Sequence, residues 1–287
     1  ETIRSIEDGV ENFNLSNFEI VILDGGSTDN TEDIICELAH QYKNIRYTKQ
    51  AERGGIDCDL NTVVQMASGK YIWLFAADDL LEQGWDRKIG PLLDKGVELV
   101  LVPPMVCDIQ MKPLYQKAMF RDCVTEEPVE FNIQQGDGSL CNYLNRAINI
   151  EAVFSFLSAV VVKADIWHEM PVRKDYFGSC WAHCARLMPL LYRKTKIIYV
   201  PQFLIRKRCG NDSFMVDGMI SRLALSIDEW DRLITEFFAD AFHKRELYRM
   251  LRKDVTILSF IYAKFLADEI CDIRRLNSLM RLLYVKR

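Results

Sequence analysis

Residues Phe18–Ile34 read FEIVILDGGSTDNTEDI, and residues Tyr71–Asp79 read YIWLFAADD. Each is an apolar, β-favouring run that stops in carboxylates: Asp24 in the first, Asp78 and Asp79 in the second. The first passes through Gly25 and Gly26 into residues that start helices. Open α/β sheets bind ligands outside the carboxyl ends of their parallel strands. The two stretches therefore put acidic groups where such a site forms.

Working outward, the pattern predicts a strand at Phe18–Leu23 and a helix at Asn30–Tyr42, capped by Ser27 or Thr28. Glu32 and Asp33 then lie in its first turn, where the helix dipole favours them. A strand Ile45–Thr48 follows, then a helix Asp59–Ala67, entered after Gly54-Gly55 and ended by Ser68-Gly69. Tyr71–Phe75 reads as a strand buried on both faces, Trp85–Leu93 as a helix and Val97–Pro103 as a strand. This alternation over residues 1–105 implies an α/β protein with a doubly wound, mainly parallel sheet and flanking helices. Residues 106–214 make a second section, polar and turn-rich at first, with apolar strands at Ser158–Val162 and Ile197–Val200. Residues 215–287 almost lack Pro and Gly and repeat apolar residues at 3–4 spacing, which predicts a tail of two or three helices. At the start, Ile3, Ile6 and Val10 fall at helical spacing, so the chain reads as a helix already under way. The first strand of the sheet is expected to be missing.

Composition narrows the classes. A chain of 287 residues can bury about 75% of its unfolded surface, as one large domain or two small ones. A net charge of −5 argues against general nucleic-acid binding, which needs an electropositive surface. The nine cysteines, Cys123 among them, are odd in number and scattered, so reduced thiols in a cytoplasmic protein are the simpler reading than a disulfide scaffold. No signal-peptide pattern opens the chain, and no apolar run reaches the ~18 residues that span a bilayer.

Adjacent carboxylates such as Asp78-Asp79 can hold a divalent metal with one group and a ribose hydroxyl with the other. The metal then keeps positions open for phosphate oxygens; the plainer alternative is a surface turn into Leu80-Leu81. At Gly25-Gly26 the backbone can approach a flat base or ribose beside a helix N-terminus; alternatively, this is an ordinary strand–turn–helix connection. Arg206, Arg208, Asn211 and Asp212 follow a strand and suit either a diphosphate or acceptor contact or a solvated loop.

Taken together, Asp24–Thr31, Gly54–Asn61 and Gly69–Asp79 resemble the motifs of family-2 glycosyltransferases of the GT-A fold. Residues Val153–Ser158, Val161–Lys163 and Arg208–Phe214 look like O-antigen abequosyltransferase-type enzymes. The resemblance implies a transferase that moves a sugar from a nucleotide-diphosphate sugar to a lipid-linked or surface glycan, using Mg²⁺ or Mn²⁺. It makes residues 1–105 the nucleotide-sugar-binding half, 106–214 the acceptor-binding half and 215–287 a helical C-terminal region. It puts Asp24, Gly25, Gly26 and Asp57 near the nucleotide, Asp78 near the ribose or sugar phosphate, and Asp79 on the metal. Many members carry a second Asp where Gly25 stands. Inverting members use an Asp, in a Glu-Asp pair at the start of a helix, as general base. Here that segment reads Ser179–Arg186 without a carboxylate. His183 takes the place, either as base or as a packed, hydrogen-bonded histidine, with Asp175 the runner-up. Cys180, His183 and Cys184 lack the fourth ligand of a structural zinc site.

Two other activities fit the same features less well: a sugar-phosphate nucleotidyltransferase, and a glycosyltransferase-like binding protein without turnover. Residues 249–287 hold nine Lys/Arg against four acids (254, 268, 269 and 272). Leu276, Leu279, Met280, Leu282, Leu283 and Tyr284 interleave with Arg274, Arg275 and Arg281. This reads as a basic amphipathic helix, lying on the inner face of the plasma membrane or packed on the catalytic domain.

Overall fold

The computed structural model describes residues 1–11, 18–121, 126–215, 217–267 and 270–285. Cys123, Asp268, Glu269, Lys286 and Arg287 lie outside the described residues. The elements run α1 (Thr2–Asp8), β1 (Ile20–Asp24), α2 (Thr31–Gln41), β2 (Ile45–Lys49), α3 (Ile56–Met66), β3 (Tyr71–Trp73), β4 (Leu80–Leu81) and α4 (Trp85–Asp94). Next come β5 (Leu99–Leu101), β6 (Pro104–Cys107), β7 (Pro113–Gln116), β8 (Val129–Ile133), α5 (Ser139–Arg146), β9 (Val160–Lys163) and α6 (Ala164–Glu169). The chain closes with α7 (Ala182–Leu187), β10 (Thr195–Tyr199), β11 (Ile205–Arg208), α8 (Gly218–Phe237), α9 (Ala241–Asp254), α10 (Ile257–Phe265) and α11 (Ile270–Tyr284).

Three sheets form: β1-β2, then β3-β9-β5-β10-β8, then β4-β11-β6-β7. The expected parallel character holds for β1–β2, β5–β10 and β6–β11. The other pairings are antiparallel: β9 inserts in reverse between β3 and β5, β7 folds back on β6, and β4 and β8 pair with the distant β11 and β10. Leu99–Leu101, Val160–Val162 and Ile197 are buried at the centre, as continuous β-branched and leucine runs require.

Local chemistry moves several boundaries. The helix after β1 starts at Thr31, with Asn30 in the cap position, because the Asp29 carboxylate accepts from the Thr31 N–H (3.1 Å) and O–H (2.6 Å). Ser27 does not cap it; its N–H turns back to Asp24. Strand β3 is shorter than Tyr71–Phe75, since the Ala76 N–H already leaves the ladder for the Ser158 hydroxyl at 3.0 Å. The strand expected at Ser158–Val162 begins at Val160, after a 3₁₀ turn over Leu157–Ala159. Among the described residues the tail holds four helices rather than two or three. The extra breaks come from side-chain caps that apolar periodicity does not register: Asp240 accepts from the His243 N–H and Thr256 from the Ser259 N–H.

Helix α11 packs on α8, with Leu276, Leu279 and Leu283 buried alongside Leu223, Ile227 and Trp230. The tail is joined to the sheets by charge as well. Lys117 Nζ lies 3.0 Å from Glu151 and 2.6 Å from Asp254 at the end of α9, and Lys207 Nζ lies 3.2 Å from the same Glu151.

Candidate active site

The carboxyl ends of the strands carry two acidic loops. At the first, Asp24 is 5% exposed. Its Oδ1 accepts from the Ser27 N–H (2.7 Å) and its Oδ2 from the Tyr47 O–H (2.7 Å). Burial alone would raise its pKa, but these donors and the charge of Lys49 outweigh it and hold the pKa down at about 2. The turn is made possible by Gly26, whose φ of +86° suits glycine. A Cβ on Gly25 would meet Asp59 Oδ2 at 3.4 Å, and one on Gly54 would meet Asp59 Oδ1 far inside contact distance. Gly25, Gly54 and Asp59 thus form one close-packed cradle, with Gln50 Nε2 3.0 Å from Asp59 Oδ1.

Asp57, at the start of α3, reaches across to the segment before α7. Its Oδ2 accepts from the N–H groups of Gly178 and Cys180 (2.9 Å each), and its Oδ1 from Ala182 N–H (3.0 Å). Cys180 sits there at φ +72°, a left-handed conformation that costs a non-glycine residue about 1–3 kcal/mol and persists because the carboxylate fixes its neighbours. His183 follows, 5% exposed, with Nε2 3.0 Å from the Phe154 carbonyl oxygen. Burial holds its pKa down at about 4. Cys184 Sγ approaches the same carbonyl at 3.3 Å. Asp175 lies apart from this contact, half-exposed, in a bidentate pair with Arg173 (2.9 and 2.7 Å) and 2.9 Å from Arg232; Arg173 lowers its pKa.

The second acidic loop is built from four of the residues picked out by sequence. Asp79 is 2% exposed; its Oδ2 accepts from the Ser158 hydroxyl (2.5 Å) and its Oδ1 from the Arg208 N–H (3.2 Å). Burial, reinforced by the charge of Asp78, pushes its pKa up to about 6 against those donors. Asp78 is half-exposed, and its Oδ2 accepts from Asn211 Nδ2 at 2.5 Å. The Arg208 guanidinium is spent on the protein itself: Nε on the Asp78 carbonyl (3.1 Å), Nη1 on Ile109 O and Nη2 on Glu1. Arg206 does not join them; it forms a fork with Glu82 at 2.5 and 3.2 Å.

The two loops are linked through the protein: Asp79 to Ser158, Phe154 to His183, and the neighbouring Ala182 to Asp57 on the helix whose Asp59 packs on Gly25. Sequence reasoning missed Ser158, Tyr47 and Asp59. Ser158 was visible as a lone hydroxyl opening an apolar run, and Asp59 as a second carboxylate one turn-step from Asp57; Tyr47 gave no signal.

Among the described residues no group of three or more His, Cys, Asp or Glu is arranged to hold a metal.

A model of glycosyl transferase family 2 matches residues 1–153. The chain belongs to this family. Among its relatives is the abequosyltransferase RfbV of Salmonella typhimurium, 28% identical over 244 residues, spanning 83% of this chain and 71% of that protein. The glycosyltransferase GlyG of Streptococcus pneumoniae serotype 4 is 33% identical over 258 residues, 88% of this chain and 78% of that protein. The fold is GT-A. A crystal structure of S. aureus TarS 1–349 in complex with UDP-GlcNAc superposes with a TM-score of 0.63 at 14% identity, over 98% of this chain and 76% of that one. The mannosyltransferase PcManGT from Pyrobaculum calidifontis, in complex with GDP-Man and Mn²⁺, gives 0.55 at 15% identity, over 99% and 76%. This family-2 enzyme is thus a glycosyltransferase, and the nucleotidyltransferase reading is set aside.

Proposed function

We propose that this glycosyltransferase moves a sugar from a nucleoside diphosphate sugar to a hydroxyl of a lipid-linked or surface glycan, at the inner face of the plasma membrane. The observation that carries the reading is the unequal pair in the loop between β3 and β4: Asp79 is sealed in with both oxygens hydrogen-bonded, while Asp78 stays open beside it. This changes the expected division of labour. Asp79, read from the resemblance as the metal ligand, is buried with each oxygen already accepting a hydrogen bond from the protein; we assign it the task of fixing the loop. Asp78 becomes the carboxylate that would hold Mg²⁺ or Mn²⁺. The bound cation supplies Lewis-acid neutralisation of the leaving diphosphate.

The remaining residues orient the donor. Gly25 and Gly26 admit the nucleoside close to the backbone, and Asp24 fixes their turn rather than meeting the base. Asp57 shapes the 178–182 segment beside the site. His183 reads as a packed histidine, since it is buried and its ring nitrogen is engaged with Phe154. The abequosyltransferase relative supports a deoxysugar donor, and the bound UDP-GlcNAc and GDP-Man of the structural neighbours support a hexose and the diphosphate.

The test is a thermal-shift screen against UDP-, GDP-, CDP- and dTDP-sugars with and without Mn²⁺. A single nucleotide class should stabilise the enzyme, by about 2.7 kcal/mol at a hundredfold excess over Kd. Asp78→Asn should abolish the Mn²⁺ dependence of that shift. A metal-dependent response that survives in Asp78→Asn and vanishes in Asp79→Asn would return the metal to Asp79.

A further inference from the structure

Nine of the sixteen large apolar side chains exposed among the described residues lie between Ile257 and Val285. They are not scattered. Leu258, Ile261, Tyr262 and Phe265 recur at i, i+3, i+4 and i+7 along the outer face of α10, and Ile270 and Ile273 on α11 are exposed too. Leu258 is 73% exposed, Phe265 84% and Ile270 72%. Only Phe260 and Ala263 of α10 are buried, so this helix shows more apolar surface outward than inward. An unpartnered stripe of this kind marks a contact with something apolar.

Charge identifies the partner. Residues 249–287 carry a net +5 within a chain of net −5. Lys253, Lys264, Arg274 and Arg281 are exposed around the stripe. Asp272, between Ile270 and Ile273 in the first turn of α11, offsets part of this charge, and Asp254 is held by Lys117. A second copy of the chain would bring its own basic cluster against this one, whereas anionic headgroups neutralise it. No described helix is long and apolar enough to cross a membrane, so the face lies on the bilayer rather than spanning it. Helix α11, which the sequence marked for this role, has turned Leu276, Leu279 and Leu283 inward onto the protein.

We propose that the outer face of α10, continued by the first turn of α11, seats the enzyme on an anionic lipid surface with α10 in the interfacial plane. The proposal gains its use from the lipid-linked acceptor reading above, but the binding itself needs neither donor nor acceptor.

The purified chain is sedimented with vesicles of phosphatidylcholine alone or mixed with phosphatidylglycerol, without sugar substrates. Binding should favour the mixed vesicles at least tenfold and weaken as salt rises. The double variant Leu258→Asp, Phe265→Asp should lose binding tenfold or more while keeping its melting temperature and its nucleotide response. In a second readout, Tyr262→Trp should give fluorescence that shifts to the blue on the mixed vesicles. Equal binding by variant and parent, or no binding by the parent, overturns the proposal. So does a parent dimer in light scattering that the double variant dissolves, which would assign the face to a second copy. Vesicle binding without transfer to any lipid-linked acceptor leaves this surface standing and removes only the acceptor reading.

Discussion

Asp24 and Asp79 both show little accessible surface, yet Asp79 lies much deeper in the protein, and the two are driven in opposite directions. Asp24 is held down at about 2 and Asp79 pushed up to about 6. Burial disfavours both charged forms. The deeper burial of Asp79 is the largest influence on it, and what faces each carboxylate adds to the difference: Asp24 has a backbone N–H, a phenol and the Lys49 cation, whereas Asp79 has a hydroxyl, one long N–H contact and the negative Asp78 next to it. Depth of burial together with neighbouring dipoles and charges therefore decides the protonation state of these two carboxylates, and accessible area alone does not.

The comparison is broken most directly at Asp78. Replacing Asp78 by Asn removes the charge beside Asp79 and the open carboxylate together. Turnover should fall about 10³-fold, as for loss of a principal electrostatic group, with the melting temperature little changed. Asp79→Asn should retain metal-dependent donor binding within about tenfold. Steady-state kinetics over a Mn²⁺ titration reads both.

His183 supplies a third buried group. Its folded pKa of about 4 lies below the usual value of 6.5, so above pH 6.5 folding is unaffected by it. As pH falls from 6.5 towards 4, only the unfolded chain takes up the proton and stability is lost, by up to about 3 kcal/mol at roughly 1.4 kcal/mol per unit. His183→Gln should flatten denaturation midpoints over that window and leave kcat within about threefold. A hundredfold fall in kcat without that flattening would make His183 the base.

Ser158→Ala removes the hydroxyl that holds Asp79. It should cost about 1–3 kcal/mol in urea unfolding, the range for depriving a buried polar group of its partner. Tyr47→Phe should cost about 1 kcal/mol. Because the folded pKa of Asp24 is depressed, its contribution is present above about 3.8 and is lost as pH falls towards about 2. The Tyr47→Phe variant should therefore show a shallower decline of melting temperature across that acid window.

From the sequence, β1, α2 and β2 were legible to within two residues, because each is a local run with a local stop, whereas α3 starts at Ile56, three residues before the expected Asp59, directly after Gly55. The sequence also showed which loops carry acid. It could not show that β9 enters the sheet antiparallel, since a run such as Val160–Val162 reads the same in either direction. Nor could it rank Asp78 against Asp79. Their difference depends on Ser158 and Arg208, which lie 79 and 129 residues away from Asp79 in the chain. Arg206 and Arg208 looked alike as anion binders; the fold spends each on a partner fixed only by tertiary contact.

The cluster of Lys117, Glu151, Asp254 and Lys207 has a mechanical meaning. Asp254 closes α9, and Lys207 adjoins Arg208, whose N–H holds Asp79. The helices that present the apolar stripe are thus clamped to the strand that braces the acidic loop. A chain cut before α9 would strip Lys117 of one counter-ion and unbalance the clamp. Excising the tail would be amputation, not the trimming of a tether.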